Sequence, residues 1–191
     1  FADPRLDPMA EAAAFVLNFP GGAEALTAAG FADAHAVLDG VRDLLSERWA
    51  EDAALLGKLR EWLWSEGLFQ SKLVDGKDGT HPDAAKFRDY FDYAEAIARV
   101  PSHRALAVFR GRVQEVLEVG LAVDEDAVAG QPGLAEARIA RHLGWRHQAR
   151  PGDELIRKCV AWTWKVKLSL SLERDLFARL REAAEATAIK V

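Results

Sequence analysis

Apolar side chains recur every three or four residues along most of this 191-residue chain, and glycine or proline cuts the recurrence into short runs. Each run has one apolar stripe to bury, so the pattern predicts several helices packed on one another. Pro8 to about Asn18 reads as the first, closed by Phe19-Pro20-Gly21-Gly22. Ala23 to Ala29 is a second, ending at Gly30. Asp33 is placed to cap a helix from Ala34 to about Trp49, whose stripe is Val37, Leu38, Val41, Leu44 and Leu45. Ala53 to about Ser65 follows, with Leu55, Leu56, Leu59, Trp62 and Leu63 on one side and Gly67 as its stop.

Two stretches read differently. Phe69–Val74 and Val116–Val123 resemble strands, which predicts one short antiparallel ribbon between them. A lone ribbon is marginal unless helices cover it. Between the strands lie a polar loop (Asp75 to Pro82), a short aromatic helix (Ala84 to about Tyr93) and a helix from Ser102 to about Gln114, begun by Pro101. Asp124 to Pro132 reads as an acidic loop, Leu134–Leu143 as a helix ending at Gly144, and Asp153 to about Lys167 as another. The last helix, Leu172 to Val191, carries Leu172, Leu176, Leu180, Ala183, Ala184 and Ala188 near helical spacing. It reaches Ile189-Lys190-Val191 with no stop signal, and the chain starts at Phe1. The expected fold is mainly α, a bundle-like array of helices with one short β ribbon, and the expected status is a truncated piece of a larger multidomain protein.

With 30 acidic and 25 basic side chains the net charge is −5, which excludes a uniformly basic nucleic-acid binder but not a basic patch. The charge is unevenly spread: −8 over residues 1–85, +3 over 86–112, −6 over 113–137, +6 over 138–167 and zero over 168–191. Arg110 and Arg112 flank Gly111, Arg138 and Arg141 share a helix face, and Arg157, Lys158, Lys165 and Lys167 lie along another helix. Converging, such faces would contact phosphates; apart, each simply solvates its helix or pairs with nearby acids. A single cysteine, Cys159, excludes a disulfide framework within the chain and a cysteine-based zinc site. No apolar run approaches the roughly 18 residues of a membrane span, and no signal peptide is visible, so the expected compartment is the cytoplasm.

Catalytic patterns are missing. There is no glycine-rich phosphate loop, no HExxH and no GxSxG, and the five histidines are scattered. Asp89 and Asp92 are three apart and could form a carboxylate pair on a helix face, although such acids more often cap helices or pair with arginine. Trp62/Trp64 and Trp162/Trp164 are two apart, so on helices one ring of each pair faces the core and the other is left half-exposed or against a neighbour.

The run KFRDYFDYAEAIARVPSHRALAVFRGR, Lys86 to Arg112, resembles the central part of the Tex family of bacterial transcription accessory proteins. Leu59–Lys77, Trp162–Leu168 and the ending LREAAEATAIKV are similar to the same family, in the same order. PSHRALAVFRGR is the most specific piece. Two departures stand out. The family follows FRGR with Asn-Glu-Gly where this chain has Val113-Gln114-Glu115, and it has Ser-Glu-Pro where this chain has Ala94-Glu95-Ala96. The lost Gly and Pro bear on loop geometry more than on fold.

The resemblance implies a fragment: residues 1–191 as the family's N-terminal or central helical region, with a sub-boundary near 75–82. The RNase-H-like YqgF domain, helix-hairpin-helix repeats and OB-fold, to which the family's main nucleic-acid affinity is attributed, would lie downstream. The expected role is a non-catalytic scaffold that positions those domains and adds a weak electrostatic contact to RNA or DNA. Arg104, Arg110, Arg112, Arg138, Arg141, Lys165 and Lys167 are the expected contact residues. In its HRAL setting Arg104 is equally readable as a buried structural arginine paired with Asp89 or Asp92. Expected partners are RNA or DNA through the full-length protein, neighbouring domains of the same chain and the transcription machinery, with no membrane and no cofactor. The rival reading is a protein-interaction module with no nucleic-acid role.

Overall fold

The computed structural model describes residues 1–123 and 133–190. In chain order the elements are α1 (Pro8–Leu17), α2 (Gly22–Ala28), α3 (Ala34–Ala50), α4 (Ala53–Glu66) and β1 (Leu68–Leu73). Then come α5 (Pro82–Ala85, a single turn), β2 (Asp92–Ala96), α6 (Ser102–Val113) and β3 (Leu117–Ala122). The chain closes with α7 (Leu134–Leu143), α8 (Asp153–Trp162), a π-helical segment (Thr163–Leu168) and α9 (Ser169–Ile189). The predicted acidic loop from Asp124 to Pro132 lies outside the described residues. The residues fall into two compact units, Phe1–Leu56 with Pro132–Ser169, and Gly57–Gln131 with Leu170–Val191. The Asp75–Pro82 loop lies inside the second of these.

In the first unit helices are the only regular elements among the described residues. Its helices begin where short polar side chains can satisfy free N–H groups: Asp7 accepts from Met9 and Ala10, and Asp33 accepts from Ala36. Gly144, in the left-handed region, closes α7. The core takes Ala12, Leu26, Val37, Leu45, Ile139, Ile156, Cys159 and Val160. The predicted α3 stripe is narrower than its sequence implies, for Leu44 is exposed. Asp153 is the unit's polar anchor. Its carboxylate is wholly buried and accepts from the Trp145 indole (2.8 Å), the Gln148 and Arg150 N–H groups (2.9 Å each) and the Arg150 guanidinium (3.0 Å). These bonds fold the 145–152 segment onto the start of α8. Gly152 there donates to the Pro4 carbonyl at 2.8 Å, and a Cβ would sit 2.9 Å from Pro4 Cα, too close for any larger residue.

In the second unit β1 lies central, paired antiparallel with β2 on one side and β3 on the other. The β1–β3 ribbon is the predicted one. The third strand corrects the aromatic helix expected from Ala84 to Tyr93: only Pro82–Ala85 and a 3₁₀ turn at Arg88–Tyr90 are helical, and Asp92–Ala96 is extended. Tyr and Phe suit a strand at least as well as a helix, and pairing with β1 decides. Helices cover the buried face. Phe69 of β1, Phe109 of α6 and Phe177 of α9 meet edge to face, with centroids 5.4–5.8 Å apart. Leu172, Leu176, Leu180 and Ala184 complete the α9 stripe with Phe177, whereas Ala183 and Ala188 are exposed. Gly111 is buried because β3 packs against α6; a Cβ there would lie 2.5 Å from Leu117 Cδ1. Two residues on, α6 ends in a Schellman turn: the Glu115 N–H donates to Arg112 and the Val116 N–H to Gly111. Glu115 takes the left-handed position, φ 58°, that glycine normally fills.

Candidate nucleic-acid interface

The seven expected contact residues divide between the units: Arg104, Arg110 and Arg112 in one, Arg138, Arg141, Lys165 and Lys167 in the other. All seven are exposed. Arg104 is therefore not a buried structural arginine. Its partner is Glu95, at 3.5 Å, rather than Asp89 or Asp92. The swap follows from β2: Glu95 is on the strand, where its carboxylate also accepts from the Tyr93 hydroxyl. Burial, and then that carboxylate, push the Tyr93 hydroxyl above its usual range. Asp89 sits in the 3₁₀ turn and Asp92 opens the strand, so they do not share a helix face.

Arg112 is placed differently. It lines a groove of about 320 Å³ between α6 and α9, together with Arg174 and Arg181. Arg112 lies over the Phe177 ring, 5.7 Å from its centroid, and Arg181 over the Phe109 ring at 4.7 Å. Both rings are buried, with 6% and 3% of their surface exposed, so the guanidiniums cover them. Among the described residues none of the three arginines makes an ion pair. The groove's acid is Glu173, whose carboxyl burial pushes up and which accepts from the Leu121 N–H. Arg174 and Arg181 escaped the sequence reading because residues 168–191 balance to zero. Their seven-residue spacing, two helical turns, was the available signal.

In the first unit Arg138 and Arg141 occupy exposed positions on α7. Lys165 helps line a second groove, of about 500 Å³, with Arg42, Lys158 and Trp162. Two of this groove's four cations are matched by acids: Arg42 is paired with Asp39 (3.6 Å) and Asp43 (3.2 Å), and Arg157 with Glu154 (2.6 Å). The Arg42 guanidinium also lies 3.7 Å from the Trp162 centroid. Trp62 is buried and donates to Glu66 at 3.0 Å, while Trp64 is half-buried beneath Arg179, at 4.0 Å, as the two-apart spacing predicts. Trp162 and Trp164 are both half-buried. Cys159 is buried and its thiol is pushed up to about 11, away from nucleophilic chemistry at neutral pH. Among the described residues no cluster of three His, Cys, Asp or Glu side chains could hold a metal, and no helix is long and apolar enough to cross a membrane.

Comparison with known proteins adds a second line. The family model described as Tex central region-like matches residues 3–191. Protein tex of Bordetella pertussis is 45% identical over 195 residues, covering 100% of this chain and 23% of that protein. Protein YhgF of Escherichia coli is 42% identical over 192 residues, with the same coverage. The Transcriptional accessory protein Tex of Neisseria gonorrhoeae is 43% identical over 160 residues, 83% of this chain and 20% of that protein. The chain thus spans less than a quarter of the length of these relatives.

Proposed function

Because the chain belongs to the Tex family through its central region, we propose that it is a non-catalytic scaffold of a transcription accessory protein. On this reading it positions neighbouring domains, and its own contact with RNA or DNA is weak and electrostatic. The carrying observation is the match to a central region over residues 3–191, in a chain that makes up only 23% of its full-length relatives. Each unit has its own core, one stapled by Asp153 and one by an aromatic cluster, which supports a folded spacer rather than a flexible one. The word "transcriptional" in a relative's name supports nucleic acid as the partner.

A test is to replace this region in the full-length protein by a flexible Gly/Ser linker of matched reach. A scaffold role predicts that RNA affinity stays within about tenfold, set by the other domains, while small-angle scattering loses its defined interdomain distances and transcriptional function falls. Unchanged function with the linker overturns the reading. Asp89→Asn and Asp92→Asn in the full-length protein should leave function intact; loss with either would point to an enzyme instead. Protein docking is the second reading, and Leu170 (66% exposed) and Val166 (49% exposed) are what favour it.

A further inference from the structure

We propose that the groove between α6 and α9 holds the phosphate backbone of RNA or DNA through Arg112, Arg174 and Arg181, without reading bases. The proposal rests on the electrostatic contact in the reading above and gives that contact an address.

Three observations converge there. The first is supply. Carboxylates of this acid-rich chain hold Arg42, Arg60, Arg104, Arg150, Arg157 and Arg179. Three arginines without an ion pair among the described residues nonetheless line one groove. The second is preorganisation. The Arg112 and Arg181 guanidiniums lie over Phe177 and Phe109, 5.7 and 4.7 Å from the centroids, where cation–π attraction places them without an ion pair among the described residues. A planar fork matches two phosphate oxygens, and a fork already held loses little entropy on binding. Arg174 and Arg181, seven residues apart on α9, lie about 10 Å apart along the helix axis, so they can engage separate phosphates of one strand.

The third concerns what the groove does not offer. Both of its rings are buried under guanidiniums, so no aromatic face is free for a base to stack upon. Contacts to phosphate position a nucleic acid without carrying sequence information. Glu173 shares the groove; burial pushes its carboxyl up, and the Leu121 N–H and the charge of Arg112 oppose that push.

Anisotropy of labelled RNA and duplex DNA, titrated with this chain across a salt series, tests the proposal. With three phosphate contacts, log K against log salt should fall with a slope of about −2 on single-stranded RNA. Arg174→Glu with Arg181→Glu should bring that slope close to zero and cost at least about tenfold in affinity at low salt, with the far-UV spectrum unchanged. The Lys versions of both should keep the slope. Arg138→Glu with Arg141→Glu, in the other unit, should leave it unaltered. Binding that persists unchanged in the Arg174/Arg181 charge reversal overturns the groove while leaving the weak-contact reading to other residues. No binding of either nucleic acid at low salt overturns both. A preference of more than about tenfold between RNA sequences overturns the absence of base reading. Equal displacement by a glutamate-rich peptide of matched charge would make the groove a protein-docking site and overturn the nucleic-acid assignment.

Discussion

Ion pairs hold arginines in both units; the units differ in that the guanidinium over a ring in the first, Arg42 on Trp162, is also paired with acids, while two such guanidiniums in the second are not. In the first unit guanidiniums are neutralised by carboxylates: Arg150 by Asp153, Arg157 by Glu154, and Arg42 by Asp39 and Asp43. In the second, Arg60, Arg104 and Arg179 are paired likewise, but Arg112 and Arg181 lie over aromatic rings and make no ion pair among the described residues. A paired guanidinium serves folding, and a stacked one retains its hydrogen-bonding edge for a ligand. Charge counts along the sequence cannot make this distinction. The +6 stretch at 138–167 contains the Arg150 and Arg157 pairs, and the neutral stretch at 168–191 contains Arg174 and Arg181.

The units also differ in what holds them, and substitutions can separate the two. Phe69→Ala should have the largest effect, because it empties the centre of the aromatic cluster: a loss of about 3–5 kcal/mol in urea unfolding. It should also release the rings beneath Arg112 and Arg181 and weaken RNA binding. Asp153→Asn should come next and act on the first unit. Its buried oxygens accept hydrogen bonds from three residues, and the Arg150 guanidinium would lose its counter-charge, so Tm should drop by about 5–10 °C in calorimetry. Those bonds, the Arg150 guanidinium foremost, hold the Asp153 carboxyl well below the usual carboxylate range. Its stabilisation is therefore complete above the unfolded value near 4 and fades as pH falls below it toward the folded value. The wild type should lose stability on that acid limb more steeply than Asp153→Asn. Equal limbs would mean that Asp153 is not the anchor.

Much of the helical framework was legible. Asp33, Gly67 and Gly144 act as stop and start signals, and α7 has the predicted bounds because its amphipathic stripe is short and capped by glycine. β2 was not legible, for its Tyr-Ala-Glu-Ala core has no strand signal apart from alternation and is fixed by β1. The boundary between the last two helices was misplaced as well: no Gly or Pro interrupts Thr163–Leu168, which is a π-helical segment. Of the site, Arg112 was legible from FRGR. Its aromatic support was not, because Phe109 and Phe177 are 68 residues apart in sequence.

The two departures from the family pattern give the smallest predictions, both in the second unit. Glu115 holds a left-handed conformation where the family has glycine, so Glu115→Gly should stabilise by about 0.5–1 kcal/mol in urea unfolding. Ala96 stands where the family has proline, at φ −54°, which proline's ring accepts. The Ile97 N–H donates to Gly67, so in this antiparallel register Ala96 and Leu68 form the non-hydrogen-bonded pair and the Ala96 N–H points away from β1. Ala96→Pro should then stabilise by about 0.4–1 kcal/mol in the same measurement. Destabilisation by either would show that the chain has adapted its turns around the lost Gly and Pro.

The central claim is that this region holds domains in place and contributes only a weak charge contact. The most direct measurement is the dissociation constant of one labelled RNA for this chain alone and for the full-length protein, at physiological salt. The account predicts that the chain alone binds in the non-specific range, about 10⁻⁴–10⁻⁶ M, and at least about a hundredfold more weakly than the whole. Equal affinities would contradict it, and would make this region the principal nucleic-acid binder.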